Sequence, residues 1–248
     1  MYRILLIGDS CTDAYVYGRC LRISPEAPVP VLTFSQCERR PGMAANVAAN
    51  LAPFGVDLTF LTQAEPILKT RYVDERYHQQ MLRVDQEPAV QPLASFPDLT
   101  GYDALVISDY DKGFLTQEFL HDLVDRTELP TFIDTKKNLV PVRERCFVKI
   151  NEAEFARLRN PSPDVIVTLG DRGARYRGID YPVTERISVF DVVGAGDTFL
   201  AALAYFYLAQ GSIEEAIPYA NRASVIAVQH PGTYALSVED VAALRAPS

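Results

Sequence analysis

The sequence predicts an α/β fold of three layers, with a mostly parallel central sheet between helices and a small β lid inserted at residues 15–40. Three observations carry this. Short apolar runs recur along the chain, at Arg3–Gly8, Ala104–Ser108, Thr131–Asp134, Phe147–Ile150 and Val165–Thr168, and each gives way to polar residues. Continuous rather than alternating apolar strands suit a sheet covered on both faces. Helix-patterned stretches fall between strands, and that alternation implies parallel pairing with ligands held outside the carboxyl ends of the strands. Residues 15–40 break the pattern: two short extended runs, Tyr15–Gly18 and Val29–Phe34, flank the proline-rich Ile23-Ser-Pro-Glu-Ala-Pro28. Prolines confine strands to edges and turns, so this segment reads as a flap outside the main sheet.

Taken in order, Arg3–Gly8 is the first buried strand and runs into the polar Asp9-Ser-Cys-Thr-Asp13. Pro41-Gly-Met-Ala-Ala-Asn46 opens a helix reaching about Phe54, with Ala45, Ala48 and Leu51 on its apolar face. A strand follows at Asp57–Thr62, and a pair of extended runs lies within Arg71–Val84. Thr116–Arg126 is an amphipathic helix with Phe119, Leu120, Leu123 and Val124 inward. Ser212-Ile-Glu-Glu215 is a capping-box pattern opening a helix that Pro218 is expected to bend or restart, with Pro231-Gly232 as its stop.

Composition bounds the function. The chain has 248 residues, 48% hydrophobic and 23% charged, enough for one large core. A formal charge of −8 with no basic block argues against a nucleic-acid surface, which needs clustered Lys and Arg. Cys11, Cys20, Cys37 and Cys146 form no metal-binding spacing and read as reduced thiols, which with the absence of a long apolar run points to a cytoplasmic protein without a membrane span.

The chemistry concentrates in Asp191-Val-Val-Gly-Ala-Gly-Asp197-Thr-Phe-Leu-Ala-Ala-Leu-Ala204. Gly194 and Gly196 permit positive φ and close approach of a ligand to the backbone. A glycine turn feeding a helix aims unpaired N–H groups and the positive end of the helix dipole at one point, which suits a phosphate. Asp197 beside that point is a carboxylate able to take a proton. The same spacing is equally compatible with ordinary helix capping, and it matches neither the P-loop nor the GxGxxG pattern.

Five segments in order carry a resemblance: Gly8-Asp-Ser-Cys-Thr-Asp13-Ala-Tyr, Arg22-Ile-Ser-Pro-Glu-Ala-Pro-Val-Pro30, Arg40-Pro-Gly-Met-Ala-Ala-Asn46-Val-Ala, Ser108-Asp-Tyr-Asp-Lys112-Gly and Asp191–Asp197. Together they resemble the ribokinase-like (PfkB) carbohydrate kinases, and most closely those that phosphorylate D-glycero-D-manno-heptose 7-phosphate. The likeness spans Arg3 to about Leu236. It implies a single ribokinase-like kinase domain over 1–248, without the nucleotidyltransferase domain of fused relatives.

The resemblance implies a general base at Asp197 and an anion hole from the amides of Gly194, Ala195 and Gly196. It places sugar contacts at Asp13, Gly42 and Asn46, and nucleotide contacts at Lys136, Thr168, Gly170 and Asn221. Asn151 and Glu154 match its Asn-x-x-Glu motif linked to Mg²⁺. For a substrate already carrying phosphate, Arg40, Arg22 and Lys112 are the candidate cations by position. The implied cofactors are ATP and Mg²⁺, with a monovalent cation such as K⁺ as an optional addition. The implied partners are a small-molecule sugar or sugar phosphate and a second copy of the chain joined through the lid. Two departures concern the sugar: Met43 stands where the family has glycine, and Asp111 replaces the glycine of Asp-Tyr-Gly-Lys. The connections at 62–70 and 154–164 are also shorter than usual. A kinase for another sugar or nucleoside, or a non-catalytic binding or scaffold protein on the same fold, are the alternative readings.

Overall fold

The computed structural model describes residues 1–183 and 189–246. In chain order the strands are β1 (Arg3–Gly8), β2 (Ser10–Ile23), β3 (Pro30–Met43), β4 (Asp57–Leu61), β5 (Leu68–Asp74), β6 (Gln79–Gln86), β7 (Ala104–Asp109), β8 (Thr131–Thr135), β9 (Cys146–Asn151), β10 (Val165–Thr168), β11 (Ala174–Tyr176) and β12 (Ile179–Tyr181). The helices are α1 (Ala44–Leu51), α2 (Gln117–Asp125), α3 (Glu152–Phe155), α4 (Ala195–Gln210), α5 (Ile213–Ala227) and α6 (Val238–Arg245).

The main sheet runs β12-β11-β10-β9-β8-β7-β1-β4. From β4 to β10 all pairs are parallel; β11 and β12 close one edge antiparallel. Alternate residues of each strand feed opposite cores. Ile4, Leu6, Val106 and Phe132 pack with α1, α4, α5 and α6 on one face. Leu5, Ile7, Leu105 and Ile133 pack with Leu120 and Leu123 of α2 on the other. Burial on both faces is why these strands read as unbroken apolar runs.

The second face is thinly covered. No helix joins β4 to β5 or β6 to β7; Val90, Leu93, Leu99 and Tyr102 of the irregular connection pack there instead. Between β9 and β10 the only helix is the four-residue α3. The β4–β5 and β9–β10 connections correspond to the short stretches expected at 62–70 and 154–164; the helix-free β6–β7 connection was not anticipated.

A second sheet, ordered β3-β2-β5-β6, stands apart from the first. It is wider than the expected 15–40 flap, because β2 and β3 run on to Ser10 and Met43 and β5 and β6 join through parallel pairing of β2 with β5. Pro41 and Gly42 therefore lie in β3, and the first helix begins at Ala44 instead of Pro41.

Two helix details differ from expectation. α4 starts at Ala195, three residues before the apolar run suggested, which places Asp197 in its first turn. α5 runs continuously through Pro218 without restarting, so the missing N–H is absorbed within a packed helix flanked by buried Ile217 and Ala220. At its start Ser212 accepts the Glu215 amide as an N-cap should.

Candidate active site

Asp197 sits at the centre of the arrangement, 3% exposed. Gly194, at φ 81°, turns the chain into α4, and no side chain caps that helix. The Ala195 amide donates to the Val192 carbonyl at 3.3 Å, which leaves the following first-turn amides and the positive dipole end to an anion beside the carboxylate. A side chain at 194 would meet Asn46 Nδ2 at 2.7 Å, so glycine is needed there for space as well as for φ. Both Asp197 oxygens accept a hydrogen bond: Oδ2 from Asn46 Nδ2 at 3.0 Å and Oδ1 from the Tyr110 hydroxyl at 2.9 Å. Burial pushes the Asp197 carboxyl up to about 6; Asp134 adds to the rise, while Asn46, Tyr110 and Lys149 restrain it. A carboxylate poised there is matched to proton abstraction near neutral pH.

Lys149, 4% exposed on β9, forms a buried ion pair with Asp134 of β8. A Cβ at Gly196 would lie 2.7 Å from the Lys149 ammonium, so this cation stands directly against the start of α4. Lys136 continues the network, 2.7 Å from Glu154 and 3.4 Å from Asp134. Burial opposes its charge, yet the two carboxylates outweigh that and push its ammonium up to about 12. Two lysines and a helix N-terminus thus converge where phosphate charge would be stabilised.

A cavity of about 630 Å³ opens on one side of this point. Thr168, Gly170 and Asn221, expected at a nucleotide, line it together with Ala195, Gly196, Phe199 and Val225. Its size and apolar walls suit a nucleotide-sized ligand. Lys136 does not line it and lies instead over the Tyr110 ring, 5.2 Å from the centroid.

The second sheet meets this region through α1, which follows β3 directly and carries Asn46. Asp13 of β2 is buried and paired with Arg71 of β5. The site of a Cβ on Gly42 is occupied by the Asp13 carboxylate and the Cys11 thiol, so only glycine fits there. Asn46 links this region to Asp197.

The three candidate phosphate-gripping cations are placed otherwise than expected. Arg40 is bound to the carbonyls of Pro231 and Thr233 and to Glu38. Lys112 pairs with Glu87 at 2.6 Å. Arg22 is exposed near the far end of β2, nine residues beyond Asp13 and therefore roughly 30 Å along the strand. Lys69 and Arg71, two positions apart on β5 and hence on one face, were not foreseen; nothing in an extended run marks which lysine or arginine turns inward. Lys149 did carry a signal, since a lysine inside the apolar Phe147-Val-Lys-Ile150 needs a buried partner. Tyr110 had none beyond its motif.

Asn151 and Glu154 form a capping box at α3, each bonded to the other's backbone amide at 2.9 Å. Among the described residues no cluster of three or more His, Cys, Asp or Glu could hold a metal by itself. The donor set fits Mg²⁺ only in the manner usual for nucleotide sites, through phosphate oxygens and water with one or two carboxylates nearby. Glu154 is the carboxylate suited to that.

The two departures from the family's glycines share a cause. Met43 and Asp111 both have φ of 57°, so the backbone keeps the conformation glycine would supply. Met43 offsets this by packing with Cys11 and Ile67, and Asp111 by pairing with Lys137 at 2.6 Å.

Residues 145–240 match the family described as pfkB family carbohydrate kinase. Over 96% of its length the chain is 28% identical to the bifunctional protein HldE of a Nitratiruptor species, covering 64% of that protein. It is 33% identical to HldE of Hyphomonas neptunium over 97% of its own length and 63% of that protein's. The chain thus spans under two thirds of these relatives. The first alignment runs over 296 residues against the 248 present here, so the relative carries insertions within the shared region. Among solved structures, ribokinase from Thermotoga maritima superposes with a TM-score of 0.71 at 18% identity, covering 98% of this chain and 99% of that one. Phosphofructokinase-2 from Escherichia coli, in complex with potassium, gives 0.72 at 18% identity, with 98% of each chain covered. With the glycine turn, the buried aspartate and the two-sheet architecture already in view, the chain has a ribokinase-like fold whose residues 145–240 match the pfkB family of carbohydrate kinases.

Proposed function

We propose that the protein is an ATP-dependent sugar kinase that phosphorylates the anomeric hydroxyl of a heptose 7-phosphate, with Asp197 as general base. The observation that carries this reading is the placement of Asp197. It lies buried in the first turn of α4, next to Ala195 and Gly196 that line a nucleotide-sized cavity, and is hydrogen-bonded to Asn46 of the helix that follows the second sheet's β3. Support for the heptose comes from the Arg22–Pro30 segment and from relatives called HldE.

In this reading ATP lies along Thr168, Gly170 and Asn221, with its terminal phosphate at Gly194, Ala195 and Gly196. The sugar sits under the lid against Asp13, Gly42 and Asn46. Asp197 removes the proton from the acceptor hydroxyl as that oxygen attacks the γ-phosphorus and ADP leaves. The α4 amides and Lys149 face the charge on the transferred group, so catalysis rests on position and electrostatics. Mg²⁺, when bound with the nucleotide, would neutralise phosphate charge, with Asn151 and Glu154 ordering its surroundings; K⁺ is a further candidate cofactor. A lid over the sugar excludes water and limits ATP hydrolysis. The exposed Leu21, Ile23, Phe34 and Leu82 of that sheet favour a second copy of the chain as its partner.

A different sugar, sugar phosphate or nucleoside is favoured by one observation: Arg40 and Lys112 are already bound to protein groups. ADP release from Mg²⁺-ATP with heptose 7-phosphate, beside fructose 6-phosphate, ribose and a no-sugar blank, separates these readings. Turnover confined to the heptose phosphate supports the proposal. Turnover with another acceptor replaces the substrate, and silence across a wider panel from protein that still binds ATP favours a non-catalytic binding protein.

A further inference from the structure

Tyr110 lies in the loop after β7, and Asp9 builds that loop. The Asp9 carboxylate, 1% exposed, accepts the amides of Tyr110 at 2.8 Å, Lys112 at 3.3 Å and Phe114 at 3.4 Å. Asp109 and Lys137 brace the loop from beneath, with Thr135 Oγ1 donating to Asp109 at 2.6 Å. A loop so anchored presents the tyrosine in one place. Its hydroxyl donates to Asp197 Oδ1, and the Lys136 ammonium covers its ring.

We propose that Tyr110 is a positioning residue for Asp197: its hydroxyl holds Oδ1 while Asn46 holds Oδ2, fixing the carboxylate plane and leaving the remaining lone pairs to face the acceptor hydroxyl. The inference rests on the reading of Asp197 as the base. A carboxylate with one anchor can rotate about its Cβ–Cγ bond, whereas two donors from different elements, α1 and the loop after β7, prevent it. The groups around Asp197 are few. Asp134 faces it with like charge, Lys149 with opposite charge, Cys11 as a neutral thiol whose ionisation burial opposes, and Asn46 and Tyr110 as donors. Tyr110 itself stays protonated, since burial and then Asp197 raise its hydroxyl well above its ordinary range. It is therefore a donor throughout the working pH range, and the strength of its hydrogen bond sets how readily Asp197 ionises.

The test compares Tyr110→Phe with a ring-fluorinated tyrosine at position 110, which is a stronger donor of nearly the same shape. Tyr110→Phe is expected to lower kcat on the order of 10- to 100-fold, with KM for sugar and ATP changed less than about threefold. The acid limb of its pH–rate profile should move to higher pH, and that of the fluorinated protein to lower pH. Two displacements of opposite sign cannot arise from damaged folding, so the pair remains decisive even if Tyr110→Phe is unstable. Unmoved acid limbs in both proteins, with Asp197→Asn inactive, overturn the role of Tyr110 and leave the base intact. Full activity in Asp197→Asn overturns both.

Discussion

Replacing Asp197 by Asn is expected to abolish turnover while making the protein more stable at neutral pH. The carboxyl titrates at about 6 instead of its ordinary 3.8 because burial disfavours its charge. The folded state therefore holds the proton more tightly than the unfolded chain, and stability is lost as pH rises from about 4 through 6, reaching the full penalty above that. A gap of about two pH units corresponds to about 3 kcal/mol. Asparagine removes that cost but offers one acceptor oxygen to two donors, Asn46 and Tyr110, and a hydrogen bond lost there returns roughly 1–2 kcal/mol. The net gain is about 1–2 kcal/mol at pH 8, or roughly 2–8 °C in Tm for a chain of this size. The more discriminating signature is its pH dependence, since about half of the charge penalty has disappeared by pH 5. Urea unfolding of both proteins at pH 8 and pH 5, beside ADP release, reads all three quantities. A variant no more stable at pH 8, with an advantage that does not shrink by pH 5, would refute burial as the source of the raised carboxyl, and retained turnover would refute the base.

The wild-type rate should itself fall as pH drops through about 6, because Asp197 must be ionised to accept a proton; a flat kcat between pH 7 and pH 5 contradicts this. Gly196→Ala sets a methyl 2.7 Å from the Lys149 ammonium and should cut kcat by at least about tenfold through displacement of that cation, with ATP binding followed separately by calorimetry. Arg71→Met strands the buried Asp13 carboxylate and should cost about 3–5 kcal/mol in denaturant unfolding.

Strand existence and the polar ends that gather around Asp197 were legible from local pattern, because a strand buried on both faces must be apolar throughout and its ligand-facing end cannot be. The Asp191–Asp197 turn was legible for a similar reason: glycine at 194 and 196 answers a backbone and space requirement that acts within a few residues. The start of α4 was misjudged by three residues because Ala195, Gly196 and Asp197 have no apolar periodicity of their own; the glycine at φ 81° and the packing of α4 set it.

Long-range partners were another matter. Asp134 with Lys149, Asp13 with Arg71 and Tyr110 with Asp197 join residues 15, 58 and 87 positions apart, and no periodicity carries such information. Arg40 and Lys112 illustrate the same limit from the other side. Position in the chain made them free cations beside a substrate, and folding gave them Pro231, Thr233 and Glu87 as partners. Local conformation is decided by each residue's own sterics and its neighbours' pattern, so residues alone determine the elements and the anion-binding turn. Charge, by contrast, is neutralised through space, so only the assembled sheets decide which carboxylate stays buried and poised to take a proton.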